Sequence, residues 1–275
     1  MKTLLKLYSF ESVHGSDDEK ALADWIDNWL TERKIPHKRL SNNIYSFDYP
    51  DTPCLSAHID QVKTNGKAVH FYLTPDKHIV GYNADWQRTS LGGDDKNGVW
   101  IILKLLEKGL RFNFILSEGE ERGCIGINKI DLTPLKEIDS YCIVLDRRGS
   151  KDILKSGGGS TFCSTLAQSL CNFLGNENYA VTTGSVSDTC RISEFCESVN
   201  MSVAYEAPHT DKEHTNWTRL EEILEDVESV LQNFVHFPTP PSVYQPSYKA
   251  TKVSTRFRSS QYDEEYYKNL YPDYY

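Results

Sequence analysis

His58 and Asp60, two residues apart, are the first place along the chain where side chains suited to chemistry gather. They follow the apolar run Cys54-Leu-Ser-Ala, and the strand period of two puts both side chains on one side. An imidazole that binds a metal usually has its other ring nitrogen held by a carboxylate, and Asp60 is spaced to supply it. Leu91-Gly-Gly-Asp94-Asp95-Lys96-Asn97-Gly98 then sets two adjacent aspartates among glycines just before an apolar helix, where a capping turn would need only one. Ser117-Glu-Gly-Glu120-Glu121-Arg-Gly closes the run Phe-Asn-Phe-Ile-Leu. In extended backbone its two adjacent glutamates point different ways, so one can bind a metal while its neighbour faces a reacting water. Val144-Leu-Asp146 ends another apolar run in a carboxylate, and Ala207-Pro-His209-Thr-Asp-Lys-Glu213-His214 carries two histidines ahead of the last helix. Histidines mixed with carboxylates in this way suit a pair of zinc-like ions better than one.

Short apolar runs that alternate with amphipathic stretches position these groups, the pattern of an α/β layer fold. Helices are expected over 17–33, with Ser16 or Asp17 as cap, and over 96–108, 161–174 and 217–235. Strands are expected at 43–47, 54–60, 78–82, 112–117, 141–146 and 201–205. In an open α/β sheet ligands bind at the carboxyl ends of the strands, which is where the acids and histidines lie. Gly157-Gly-Gly-Ser160 lacks the Gly-Lys-Ser/Thr of a phosphate loop and reads as a turn starting the helix at 161. Ser185-Val-Ser-Asp188-Thr, between an expected strand and helix, could line the cleft, but a simple helix N-cap is the preferred reading. His14, His37, His70, His78 and His236 have no strand-end carboxylate beside them and read as ordinary surface or core histidines.

The 30 Lys plus Arg against 39 Asp plus Glu leave a net charge of −9, which repels phosphate backbones and argues against a nucleic-acid partner. Membrane insertion is not expected, since no uncharged apolar run approaches the roughly 20 residues a spanning helix needs. The seven cysteines are scattered, with no Cys-x-x-Cys pair, so neither a disulfide framework nor a thiolate zinc site is indicated. Buried, reduced thiols point to the cytoplasm. Composition breaks at Phe237-Pro-Thr-Pro-Pro-Ser: beyond it tyrosine and proline abound and aliphatic residues nearly vanish. Residues 1–236 therefore read as one catalytic domain and 237–275 as an extended or disordered tail.

The five motifs, in this order, resemble those of peptidase T and related di-zinc aminopeptidases and carboxypeptidases, over roughly residues 10 to 235. That resemblance implies a three-layer α/β/α sandwich with a mixed central sheet, the zinc-exopeptidase fold. It implies two zinc ions, with cobalt or manganese able to fit the same ligands. His58 and Asp146 would bind one ion, Glu121 and His209 the other, and Asp94 both. Asp60 would orient His58, and Glu120 would be the general base for a water shared by the two ions. His214 is the competing choice for the last ligand, and His209 is preferred because His-Thr-x-x-Glu matches the family pattern. A cis peptide at Asp94-Asp95 is also implied. The expected reaction is cleavage of short peptides by an aminopeptidase or tripeptidase. The alternatives are amide hydrolysis of an N-acyl metabolite and a non-catalytic protein acting through its tyrosine-rich tail. Only about 60 residues separate Asp146 from His209, which leaves no room for the lid or dimerisation domain of larger relatives.

Overall fold

The structure, a computed structural model, describes residues 1–137 and 141–233, so the segment 237–275 lies outside the described residues. In chain order the elements are α1 (Lys2–Tyr8), α2 (Asp17–Glu32), β1 (Lys38–Leu40), β2 (Asn43–Ser46), β3 (Cys54–His58), β4 (His70–Leu73), β5 (His78–Tyr82), β6 (Arg88–Thr89) and α3 (Gly93–Glu107). There follow β7 (Asn113–Ser117), α4 (Pro134–Glu137), β8 (Cys142–Arg147), β9 (Asp152–Gly157), β10 (Ser160–Thr161) and α5 (Leu166–Leu174). The last are β11 (Ala180–Gly184), α6 (Asp188–Ile192), β12 (Ser198–Ser202), β13 (Tyr205–Glu206), β14 (His214–Asn216) and α7 (Trp217–Asn233).

Helix α2 starts where Ser16 accepts a hydrogen bond from the Glu19 amide at 3.1 Å, and Asp17, Asp18 and Glu19 in its first turn suit the positive end of the helix dipole. Leu22, Ala23, Ile26, Trp29 and Leu30 recur at helical spacing and are buried. Strands β3 and β7 are buried along their whole length, as expected of central strands covered on both faces.

The larger sheet runs β1-β2-β7-β3-β8-β12-β9-β10, with β11 beside β9. Its centre, β7, β3, β8 and β12, is parallel, and β2 and β9 join it antiparallel on either side, so the sheet is mixed. Leu55, Ala57, Phe114, Leu116, Ile143 and Leu145 face a large core built with residues of α1, α2, α3, α5 and α7. Their strand neighbours Cys54, Ile115, Cys142 and Val144 face a smaller core with Ile127, Ile130, Leu135 and Ile192. The result is a mixed sheet between two helical layers. The second layer is thin, made of α4, α6 and two single 3₁₀ turns at Glu120–Arg122 and Ile127–Lys129.

A second, small sheet runs β13-β14-β5-β4, with β6 on β5. Pairing of β14 with β5, His214 opposite Val80, carries the loop after β13 back over the carboxyl edge of the main sheet. Two expectations need correcting, while the N-cap expected within 185–189 is present. The helix expected over 161–174 begins at Leu166, and Gly158 and Gly159, both at positive φ, turn the β9–β10 hairpin instead of starting it. The strand placed at 201–205 is β12, three residues earlier, followed by β13. Ser187, whose hydroxyl accepts from the Thr189 amide at 3.3 Å, caps α6, and Asp188 is buried. Among the described residues no helix is long and apolar enough to cross a membrane.

Candidate metal centre

Because β3, β7 and β8 are parallel and adjacent, their carboxyl ends deliver His58, the Glu120-Glu121 turn and Asp146 to one place. Helix α3 brings Asp94 to the same place. Its start departs from helical geometry at Asp94 and Asp95, and the peptide bond between them is cis. Gly98 lets this end of the helix lie against β8, since a β-carbon there would run into the Leu145 carbonyl and the Asp95 carboxylate. The loop between β13 and β14 supplies His209, held at φ 63°.

His58 Nε2 lies 3.2 Å from Asp94 Oδ1 and 3.4 Å from Asp146 Oδ1. Its Nδ1 faces Asp60, 3.1 Å from the carbonyl and 3.4 Å from the carboxylate. Asp60 in turn accepts the amides of Glu120 at 3.0 Å and Glu121 at 3.2 Å, so one carboxylate ties the imidazole to the glutamate turn. On the far side, His209 Nε2 lies 2.7 Å from Glu121 Oε1 and 3.2 Å from Asp94 Oδ2. Two groupings of side chains with converging ligand atoms follow, His58 with Asp94 and Asp146, and Asp94 with Glu121 and His209. A third joins His58 to Glu120 and Glu121. His214 is elsewhere, on β14 with its ring 4.8 Å from that of His78.

The electrostatics of the cluster call for positive charge at its centre. Burial opposes a charged His58, but the carboxylates of Asp146, Asp60 and Asp94 outweigh it and hold the imidazole's pKa well above its ordinary value. Burial likewise opposes a charged His209, and Glu121 and Asp94 overcome it. Asp94 is buried too, yet His209 and His58 draw it well below the usual carboxylate range. Asp146 is pushed up to about 7 by burial, with Asp94 and Glu121 adding to the push. Glu120 is raised by burial first and then by the charge of Asp146. Such a set of oxygen and imidazole donors fits divalent metal, which supplies the charge that protons otherwise must.

Several supporting residues are not apparent from the motifs alone. Asp95 is fully buried and accepts the amides of His58 at 3.1 Å and Gly98 at 3.2 Å, locking β3 to α3. Asn200 Oδ1 accepts the Asp146 amide at 3.3 Å, and the Tyr205 hydroxyl donates to the Asp146 carbonyl at 3.3 Å. Asp188 Oδ2 accepts from Ser117 Oγ at 2.5 Å, and burial lifts its pKa to about 6. His14 has carboxylate company after all: its Nδ1 is 3.0 Å from Glu19 Oε1, and its ring covers Gly119 beside the glutamate turn.

No protein-family model matches the chain, and no curated protein matches it in sequence. Solved structures do. The chain is similar to the aminopeptidase PepT from Bacillus cereus ATCC 10987, with TM-score 0.67 and 14% identity over 84% of this chain and 96% of that one. A tripeptidase from Staphylococcus aureus subsp. aureus Mu50 gives TM-score 0.67 and 16% identity over 86% and 97% of the two chains. An aminopeptidase from the archaeon Desulfurococcus kamchatkensis gives 0.62 and 14% over 89% and 98%. At these identities the likeness is one of fold: the chain has the α/β fold of these peptidases.

Proposed function

We propose that the protein is a metal-dependent exopeptidase that removes residues from short peptides. The observation that carries this reading is Asp94, one carboxylate oxygen on each of two ligand groups, at the carboxyl edge of a sheet shared with aminopeptidases and a tripeptidase. His58, Asp146 and Asp94 would hold one ion and Glu121, His209 and Asp94 a second, with zinc the metal best suited to imidazole and carboxylate donors. When bound, the ions lower the pKa of an attacking water and polarise the scissile carbonyl.

The chain's own residues do the rest. Asp60 fixes the His58 ring through Nδ1 and, through the two amides it accepts, the direction in which the Glu120 and Glu121 side chains leave the turn. Glu120 takes the proton of the attacking water on its carboxylate and returns it to the nitrogen of the departing amine. Its enclosed setting favours that exchange, because burial raises the proton affinity of a carboxylate. The net charge of −9 supports a small-molecule substrate over nucleic acid. Seven free cysteines, five of them buried, support a reducing compartment such as the cytoplasm.

The test is a panel of tripeptides, aminoacyl amides and N-acyl amino acids, assayed before and after chelation and after zinc is returned. The reading predicts zinc-restored turnover of substrates with a free amino terminus. Turnover confined to N-acyl compounds would move it to an amidase or deacylase, and turnover indifferent to chelation would end it.

A further inference from the structure

Glu213 lies four residues after His209, is fully buried, and has no place in either ligand group. Its carboxylate turns toward the loop that ends in Asp94. Oε2 accepts from Ser90 Oγ at 2.6 Å, from the Leu91 amide at 2.8 Å and from the Gly93 amide at 3.1 Å, and Oε1 accepts from the Asp94 amide at 3.3 Å. Ser90 Oγ also accepts the Gly92 amide at 2.9 Å, and Arg88 donates to the Glu213 carbonyl at 3.0 Å. Gly92 must have no side chain here: its φ is 64°, and a β-carbon would meet Gln61 and the Lys96 ammonium. One carboxylate thus gathers the otherwise unpaired backbone donors at the start of α3, where a capping side chain of the helix itself would ordinarily serve. It reaches them from the loop that carries His209.

The four site residues on strands or beside them differ from His209 in what holds them. His58 and Asp146 sit on β3 and β8, and Glu120 and Glu121 are tied to Asp60. His209 is partly exposed on a loop at positive φ, and its bearing on Asp94 depends on how that loop is anchored. We propose that Glu213 is a positioning residue for the metal centre, a clamp that sets the His209 loop against the Asp94 loop and so completes the Asp94–Glu121–His209 group. This rests on the metallopeptidase reading above. Asp94 belongs to both groups, but α3 keeps it in place through Asp95, which accepts the His58 amide at 3.1 Å, whereas the His209 loop loses its anchor, so the group that needs His209 loses more.

The experiment is zinc titration of the metal-stripped, full-length protein against a chromophoric chelator, with thermal denaturation of each variant alongside. Wild type is expected to take up two equivalents. Glu213→Gln is expected to bind the first equivalent as wild type does and the second at least about tenfold more weakly, the loss typical when a group orienting a metal ligand is removed. Ser90→Ala is expected to weaken the same step by less, and the double variant to be no weaker than Glu213→Gln alone, since both changes break one clamp. Equal weakening of both steps, or additive losses in the double variant, would mark Glu213 as a general stabiliser and overturn the proposal. Unchanged binding in Glu213→Gln would overturn it as well. A wild-type protein that binds no zinc would overturn the metallopeptidase reading itself, and the clamp with it.

Discussion

Asp94 offers one carboxylate oxygen to His58 and the other to His209, both at 3.2 Å, and every other acid of the cluster is arranged around that bridge. Like charges this close cannot all persist without a cation, which makes the metal-free protein sensitive to pH in a definite direction. Asp146, with a folded pKa of about 7 against an ordinary 3.8, keeps a proton that the unfolded chain releases. Its stabilisation is present near pH ~4 and lost as the pH rises to ~7. His58 and His209, both raised, act in the same sense, their contribution fading as pH climbs past the ordinary imidazole value. Asp94, lowered, works the other way but titrates below this window. The melting temperature of chelator-treated protein is therefore expected to fall between pH ~4.5 and ~7.5 and to become flat when zinc is restored. A metal-free melting temperature that rises over that range would contradict this account of the cluster.

At the scale of elements, α3 carries the site because Gly98 lets it touch β8. Replacing Gly98 with Ala is expected to destabilise the fold by about 1–3 kcal/mol through overpacking and to weaken metal binding by shifting Asp94. Urea unfolding would show the first effect and zinc titration the second. The strands that deliver the site residues were legible because central parallel strands are continuous apolar runs, as in Cys54–His58 and Cys142–Arg147, and the acids stand out where those runs stop. The peripheral strands were not. Lys38–Leu40 and Ala180–Gly184 lie at the edges of the main sheet and His70–Leu73 at the edge of the small one, with polar and exposed residues that give no strand period. Glu213 was visible as a letter of a motif, but its work depends on hydrogen bonds to backbone about 120 residues away, which no local pattern encodes.

For the molecule as a whole, the described residues form two apolar cores, and the composition of residues 237–275 offers almost no aliphatic side chains. A chain ending at residue 236 is expected to unfold in one cooperative transition within a few degrees of the full-length protein and to keep its zinc stoichiometry. Loss of folding or of metal on truncation would mean that the domain boundary lies elsewhere. The peptidases that share this fold match it along most of their own length, so the likeness takes in the whole sheet and not a fragment of it.

Whether two metal ions and Glu120 act together on a peptide bond is decided by metal content and peptide turnover measured side by side in wild type and Glu120→Gln. Two equivalents of metal are expected in both proteins, with turnover reduced in the variant by a factor on the order of 10² to 10⁴, the usual worth of a positioned general base. Two metals with undiminished turnover in the variant, or wild-type turnover with no metal bound, would contradict that joint action.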